Sequence, residues 1–464
     1  MTYVIDRADL GRLASQVAGP VLAPGDADYP AETATWNETL VERPAVVVGA
    51  TSTADVQAAV RFAAANDLPV AAVATGHGAV VASDGAVMVN LRRLKDIVVD
   101  TPTRSATIGG AVTAQPLIDA AFPEGLAPLA GSSPNVGVVG YALGGGLSAT
   151  LGRTYGWAAD HVRSADIVTP DGELRHIDAA HEPDLFWAIR GGKGNFGVVT
   201  SLDLDLVPMT ELYGGGIYFA GEHVEPVLDA FRRLVAASPQ ELTLSFAFMR
   251  LPDQPDVPEP LRDRFTVHVR VAYLGPPAEG ERLIADLRAT APALIDTVTE
   301  MPYTGIAAIH QDPLDPVPTY EVSALLSDFP ADAEQALIDV AGPDADTPAG
   351  MIEIRQLGGA LGRDPSVPNA VGNRDAGFQL FGGAFGTGPG LAEQFRAPLA
   401  AISGALAPWS TGHQQANFLT GYDLAPDAVA RAYEPDTYHR LREVKRSYDP
   451  RNLFRINHNI PPET

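Results

Sequence analysis

Hydrophobic and polar positions change period several times along this 464-residue chain, and each change predicts an element. Residues 44–50 (PAVVVGA) form a short β-branched run that reads as a strand. Residues 52–65 then place Val56, Ala59, Val60 and Ala63 at helical spacing behind a Ser52-x-x-Asp55 cap. Residues 68–73 return to strand character, which completes a β-α-β unit, and the chain leaves it through Ala74-Thr75-Gly76-His77-Gly78. Residues 165–177 read as a hairpin turned by Thr169-Pro-Asp-Gly172, and 183–189 as a short helix. Residues 198–207 read as a half-buried strand, because Val199, Leu202, Leu204 and Leu206 alternate with Thr200, Asp203 and Asp205.

After about residue 211 the texture shifts. Strand-like runs (242–249, 265–273) alternate with helical ones (277–289), and proline-rich acidic loops interrupt at 252–260 and 312–318. The last fifty residues return to the earlier style and end in Tyr448-Asp-Pro-Arg-Asn-Leu-Phe-Arg-Ile-Asn-His-Asn459. The predicted organisation is α+β: a first domain of 1–209, an inserted substrate-binding domain of 210–413, and a continuation of the first domain at 414–464.

The formal charge of −25 argues against nucleic acid, anionic membranes and highly phosphorylated substrates, and leaves a neutral or weakly charged small molecule as the expected partner. The absence of cysteine excludes disulfides, thiolate metal sites and thiol nucleophiles. No apolar run reaches the roughly 20 residues of a membrane span, and residues 1–20 lack the pattern of a signal peptide, so a cytoplasmic location is expected. Oligomeric state is not legible.

Three motifs carry chemistry. His77, between Gly76 and Gly78, has bare backbone on both sides, so a planar ligand can approach and the imidazole can become a covalent attachment point. Gly131-Ser-Ser-Pro-Asn-Val-Gly-Val-Val-Gly140, followed by Tyr141-Ala-Leu-Gly-Gly-Gly146, offers backbone N–H groups to a pyrophosphate and room for a flat ring. Gly192-Lys-Gly-Asn-Phe-Gly197 matches G-x-G-x-x-G, but a helix precedes it and a strand follows, the reverse of a dinucleotide-binding loop. The histidines have no metal-ligand spacing, and no G-x-S-x-G elbow occurs, so neither a metal site nor a hydrolase triad is expected.

Together with Pro183-Asp-Leu-Phe-Trp-Ala-Ile-Arg190 and the C-terminal Asn457-His-Asn459, these motifs resemble the berberine-bridge-enzyme-like FAD oxidases of the vanillyl-alcohol-oxidase superfamily, with their PCMH-type FAD-binding domain. The resemblance implies a discontinuous FAD domain of two α/β subdomains and a substrate domain whose antiparallel sheet roofs the flavin. It implies FAD linked covalently through His77, with Thr75, Gly76, Gly78, Ser132, Ser133, Val136, Gly137, Gly140, Tyr141, Gly145, Gly146, Gly194, Val198, Asn457 and Asn459 around it. Ser133 stands where many members carry a second, cysteinyl attachment, which implies a single bond here. Val136 stands where valine accompanies oxygen reactivity, which implies an oxidase using O2.

Oxidation of an alcohol or phenol needs a base for the hydroxyl proton. Relatives use a tyrosine in a Tyr-x-Asn strand, whereas this chain has Gln415-Ala-Asn417. On a strand, His413, Gln415 and Asn417 would share one face, with His413 as base and Gln415 orienting the substrate. The rival is Glu353, which shares a face with Arg355 opposite Ile352 and Ile354, and whose carboxyl above an apolar ring would be raised in pKa. Tyr141 is a further candidate for ring or substrate contact. The expected activity is oxidation of a small or medium-sized natural product or sugar; the alternative is flavin-scaffolded cyclisation or elimination without net redox change.

Overall fold

In the computed structural model, which describes residues 5–255 and 257–463, the N-terminal part builds two small sheets. The first has the order Val21–Leu22, Val46–Gly49, Val87–Asn90, Val70–Val73, with the last three parallel. The two strands of the predicted β-α-β unit are therefore separated by Val87–Asn90. Their crossover helix Thr53–Ala65 starts where the cap pattern places it, with Ser52 Oγ accepting from the Asp55 amide at 3.3 Å. Val46, Val47 and Val48 have no exposed surface, as β-branched residues of a sheet covered on both faces should.

The second sheet is antiparallel, in the order Ile97–Asp100, Ser105–Gly109, Val198–Asp205, Val162–Val168, Leu174–Asp178. The predicted hairpin is its edge, and Gly172 takes a φ of +76° in the turn. Val198–Asp205 alternates only in its second half. Its first three residues are buried on both sides because the helix Thr53–Ala65 packs there, Thr53 Oγ1 reaching Thr200 Oγ1 at 3.2 Å.

A third, eight-stranded antiparallel sheet runs Ala293–Asp296, Glu211–Ala220, Arg264–Tyr273, Leu242–Leu251, Met351–Gln356, Phe378–Phe385, Thr319–Leu326, with Thr299–Pro302 paired to Glu211–Ala220. Its period of two divides the side chains cleanly. Phe246, Phe248, Val267, Val269, Ile352, Ile354 and Leu380 form an apolar core with the helices Val224–Ala237, Ala331–Ala341 and Leu391–Ala405. The opposite face carries Ser245, His268, Arg270, Ser323, Glu353, Arg355 and Gln379, every one of them in the register positions between those core residues.

The chain ends share one core. Leu453 and Phe454 pack with Val46, Val70 and Val87, and the Val70 amide donates to the Leu453 carbonyl at 3.0 Å. Lys445, on the helix Pro435–Tyr448, is fully buried, its Nζ donating to Asp449 Oδ2 (2.7 Å) and to the carbonyls of Asn195 (2.5 Å) and Phe454 (3.1 Å). All three ammonium donors are spent, so this lysine clamps the C-terminal tail to the Gly192–Gly197 turn. No described helix is long and apolar enough to cross a membrane.

Candidate active site

The His77 loop leaves the end of Val70–Val73. Gly76 has a φ of +80°, and a Cβ there would lie 2.5 Å from Thr35 Cβ, so only glycine fits the turn. The loop sets the imidazole against Trp36, with ring centroids 4.4 Å apart and planes 16° apart, and Nδ1 meets Thr75 Oγ1 at 2.9 Å. Nε2 is buried without a partner. Burial pushes the His77 pKa down to about 4, against a smaller upward pull from Asp312, so the ring is neutral at pH 7. The acidic loop at 312–318 closes over this ring: Leu314 O accepts from Trp36 Nε1 at 3.4 Å and from Asn135 Nδ2 at 2.5 Å.

Around His77 lies a cradle of small residues. A Cβ on Gly78, Gly140 or Gly194 would meet nothing within 4 Å, and one on Gly137 would touch only Ala74 and Thr75 at 3.7 Å or beyond. The amides of Gly76, His77, Gly78, Ser132 and Ser133 have no partner among the described residues. Ser133 Oγ donates to Asn135 Oδ1 at 2.8 Å, and Ser133, Val136 and Tyr141 line one cavity. Asn457 Oδ1, Asn459 Oδ1 and the Tyr141 hydroxyl are buried and unpaired. Open backbone beside four orphaned polar atoms fits a large polar cofactor with a flat ring, as FAD is. Gly145 and Gly146 are packing positions instead: their carbonyls accept from Ala159 and Ala158, and Cβ atoms would crowd Trp157 and Ala158. The Val198 side chain lies in the core with Leu453.

The strand expected through 413–417 does not form. The backbone makes single, scattered hydrogen bonds, such as Leu325 N to His413 O at 3.3 Å, and turns into a 3-10 segment at Ala416–Phe418. Without a period of two, the three side chains part. His413 is exposed; Gln415 is buried and donates to the Gly372 and Asn373 carbonyls at 2.9 and 3.3 Å; Asn417 Nδ2 donates to the Tyr141 carbonyl at 2.7 Å.

Glu353 shares its face with Arg355 as expected, but its surroundings reverse the expected pKa. Arg270 Nη1 lies 2.7 Å and Arg355 Nε 2.8 Å from its two oxygens, with His310 Nε2 at 3.6 Å. Burial alone would raise Glu353; the two guanidinium groups outweigh it and hold the carboxyl well below the usual range. The opposing strand leaves room for this, since Ala247 stands across from Glu353 and Ser245 across from both Arg355 and Arg270. His268 stacks on Tyr218, centroids 3.8 Å apart, and accepts from Arg270 Nε at 3.2 Å.

Two further residues, Lys193 in the Gly192–Gly197 turn and Glu321 on the same sheet face as Ser323, lie near enough to shift each other's pKa. Lys193 has φ +57° and ψ −147°, a backbone conformation that suits glycine, and its Nζ donates to Ala416 O at 3.3 Å. Desolvation pushes it down to about 8, opposed by Glu321 on Thr319–Leu326, which burial pushes up to about 7. The signal in the sequence was a lysine inside a glycine run; its partner, 128 positions away (321 − 193), carried none.

Residues 44–178 match the FAD binding domain family, and residues 413–461 match the berberine and berberine-like family. An (R)-6-hydroxynicotine oxidase of Paenarthrobacter nicotinovorans is 29% identical over 96% of this chain and 97% of its own length. An uncharacterised FAD-linked oxidoreductase of Bacillus subtilis is 26% identical over 97% and 99%. The crystal structure of 6-hydroxy-D-nicotine oxidase from Arthrobacter nicotinovorans superimposes with a TM-score of 0.81 at 27% identity, covering 96% of this chain and 98% of that one. BBE-like 1 of Physcomitrella patens shares the fold, with a TM-score of 0.84 at 19% identity over 98% and 99%. With an FAD binding domain match at 44–178, a berberine-like match at 413–461 and relatives along nearly its whole length that include FAD-linked oxidoreductases, the chain is an FAD-dependent oxidoreductase similar to the berberine-bridge-enzyme-like enzymes.

Proposed function

We propose that this enzyme oxidises an alcohol or phenol-like group of a small or medium-sized natural product or sugar, with FAD held through one bond to His77 and O2 as the final electron acceptor. When bound, FAD supplies a two-electron acceptor for hydride. The observation that carries the reading is the buried, unpartnered Nε2 of a neutral His77, fixed by Trp36 and Thr75. A neutral imidazole held in one orientation keeps a lone pair available for attachment. Ser133 cannot form a thioether, so attachment is single.

The remaining work falls to the chain's own groups. The amides of the His77 and Ser132–Ser133 loops and the free carboxamide oxygens of Asn457 and Asn459 bind and orient the cofactor. The polar face of the eight-stranded sheet covers the substrate and excludes water. The substrate's hydroxyl proton passes to Lys193, whose depressed pKa leaves a usable fraction of free amine near neutral pH and whose charged form the nearby Glu321 favours. Glu353 is a poor acceptor because it stays ionised far into the acid range.

Acid denaturation of the purified protein tests the attachment: yellow colour and an FAD-sized mass increment should stay with the polypeptide, and His77→Ala should release both. A wild-type pellet without colour would overturn the linkage, and a supernatant without flavin as well would overturn the oxidase reading.

A further inference from the structure

The cavity between residues 147–149 and the eight-stranded sheet holds more positive charge than the chain itself balances. It is partly open to solvent, and Ser148, Ser245, Arg270, His310, Arg355 and Gln356 are among its polar lining. Two guanidinium groups face one carboxylate there. His268 and His310 add no charge at pH 7, since burial and the nearby Arg270 both push them down. The Tyr141 phenol is held neutral, raised by burial. Asp312 pulls on Arg355 from the covering loop, but no carboxylate except Glu353 comes within 4.0 Å of either arginine among the described residues. Within that distance two guanidinium groups share one carboxylate, an excess of one positive charge that Asp312 offsets only from farther off, with Arg270 3% and Arg355 11% exposed in the side chain.

Burying such a charge without a counter-ion is costly, and chains that do so normally supply the partner themselves. Here the bonding capacity is also unspent. The Arg270 and Arg355 approaches to Glu353 are close in distance but miss hydrogen-bond angles, and Arg270 Nη1, Ser245 Oγ and Gln356 Oε1 are buried without partners. Leu147, Leu244, Val271 and Ile309 give the same cavity apolar walls.

We infer that this cavity is an anion site in which Arg270 and Arg355 receive a carboxylate or phenolate oxygen of the substrate, so that the enzyme selects molecules with an apolar body and one acidic group. Glu353 is then a positioning residue: it holds the two guanidinium groups side by side and leaves one net charge for the ligand. This assignment rests on the oxidase reading only for calling the ligand a substrate.

Calorimetric titration of the purified, full-length protein at pH 7 with benzoate, benzamide and benzylamine tests it. Benzoate should bind at least about tenfold more tightly than benzamide, as a charge-assisted pair requires, and benzylamine should give no binding. Arg355→Met leaves Arg270 and Glu353 as a balanced pair, so the variant should keep its melting temperature while losing the preference for benzoate; Arg355→Lys should retain part of it. Equal binding of benzamide, tighter binding of benzylamine, no binding of benzoate, or a benzoate preference that survives Arg355→Met would each overturn the assignment. A preparation without flavin would instead count against the oxidase reading, and the benzoate heats would still report on the site.

Discussion

The Asn417 carboxamide lies directly on the Gly144 backbone, where any Cβ would overlap it, and from there donates to the Tyr141 carbonyl at 2.7 Å. The contact joins the glycine-rich loop of the N-terminal part to the C-terminal segment, so the cradle is complete only when both ends of the chain have docked.

Gly144→Ala should therefore push Asn417 away and loosen the joint. Overpacking of this kind costs about 1–3 kcal/mol. We expect a lower melting temperature and a lower flavin-to-protein ratio, read from absorbance at visible and near-ultraviolet wavelengths; unchanged flavin content would refute the joint's role in assembling the site.

Glu353→Gln should act on stability before it acts on proton transfer. Removing the carboxylate leaves two buried guanidinium groups unbalanced, and breaking a buried pair in this way costs about 3–5 kcal/mol. Denaturant unfolding should report that loss. If the variant is as stable as the wild type but flavin reduction collapses, Glu353 is the base after all.

Lys193→Gly should separate stability from activity. Glycine accepts a φ of +57° and ψ of −147° without strain, so relief of about 1–3 kcal/mol is expected. Flavin reduction by substrate should slow, and its rise with pH near 8 should disappear. A variant that is neither more stable nor slower would remove Lys193 from the mechanism.

Acid should destabilise the fold through His458, which is buried, donates from Nε2 to the Thr420 carbonyl at 3.0 Å, and is pushed down to about 4 by burial and by Lys193. Between pH 6.5 and 4 the unfolded chain binds this proton and the folded chain does not, so stability is complete above pH 6.5 and declines as pH falls through the window. The full effect is about 3 kcal/mol. Melting temperatures of wild type and His458→Gln should converge as pH is lowered from 7 to 4; parallel curves would contradict the assignment.

Much of this molecule was legible in its residue pattern because the signals were local. The Ser52 cap, the β-branched runs, the hairpin turn at Gly172 and the helix-before-strand order around Gly192–Gly197 depend on neighbours a few positions apart, and each forms as read. The glycine-flanked His77 was equally plain. The placement of 413–417 was not, because a strand needs a partner along its length and this segment finds only scattered ones.

Charge was the harder matter. Alternation placed Glu353 and Arg355 on one face, yet the sign of the Glu353 shift depended on Arg270, 83 positions earlier (353 − 270), brought within 2.7 Å by the strand Leu242–Leu251 between them. Spacing along a chain determines which face a side chain takes. Only the order of strands in a sheet determines which charges meet there, and in a dry interior that meeting outweighs burial itself.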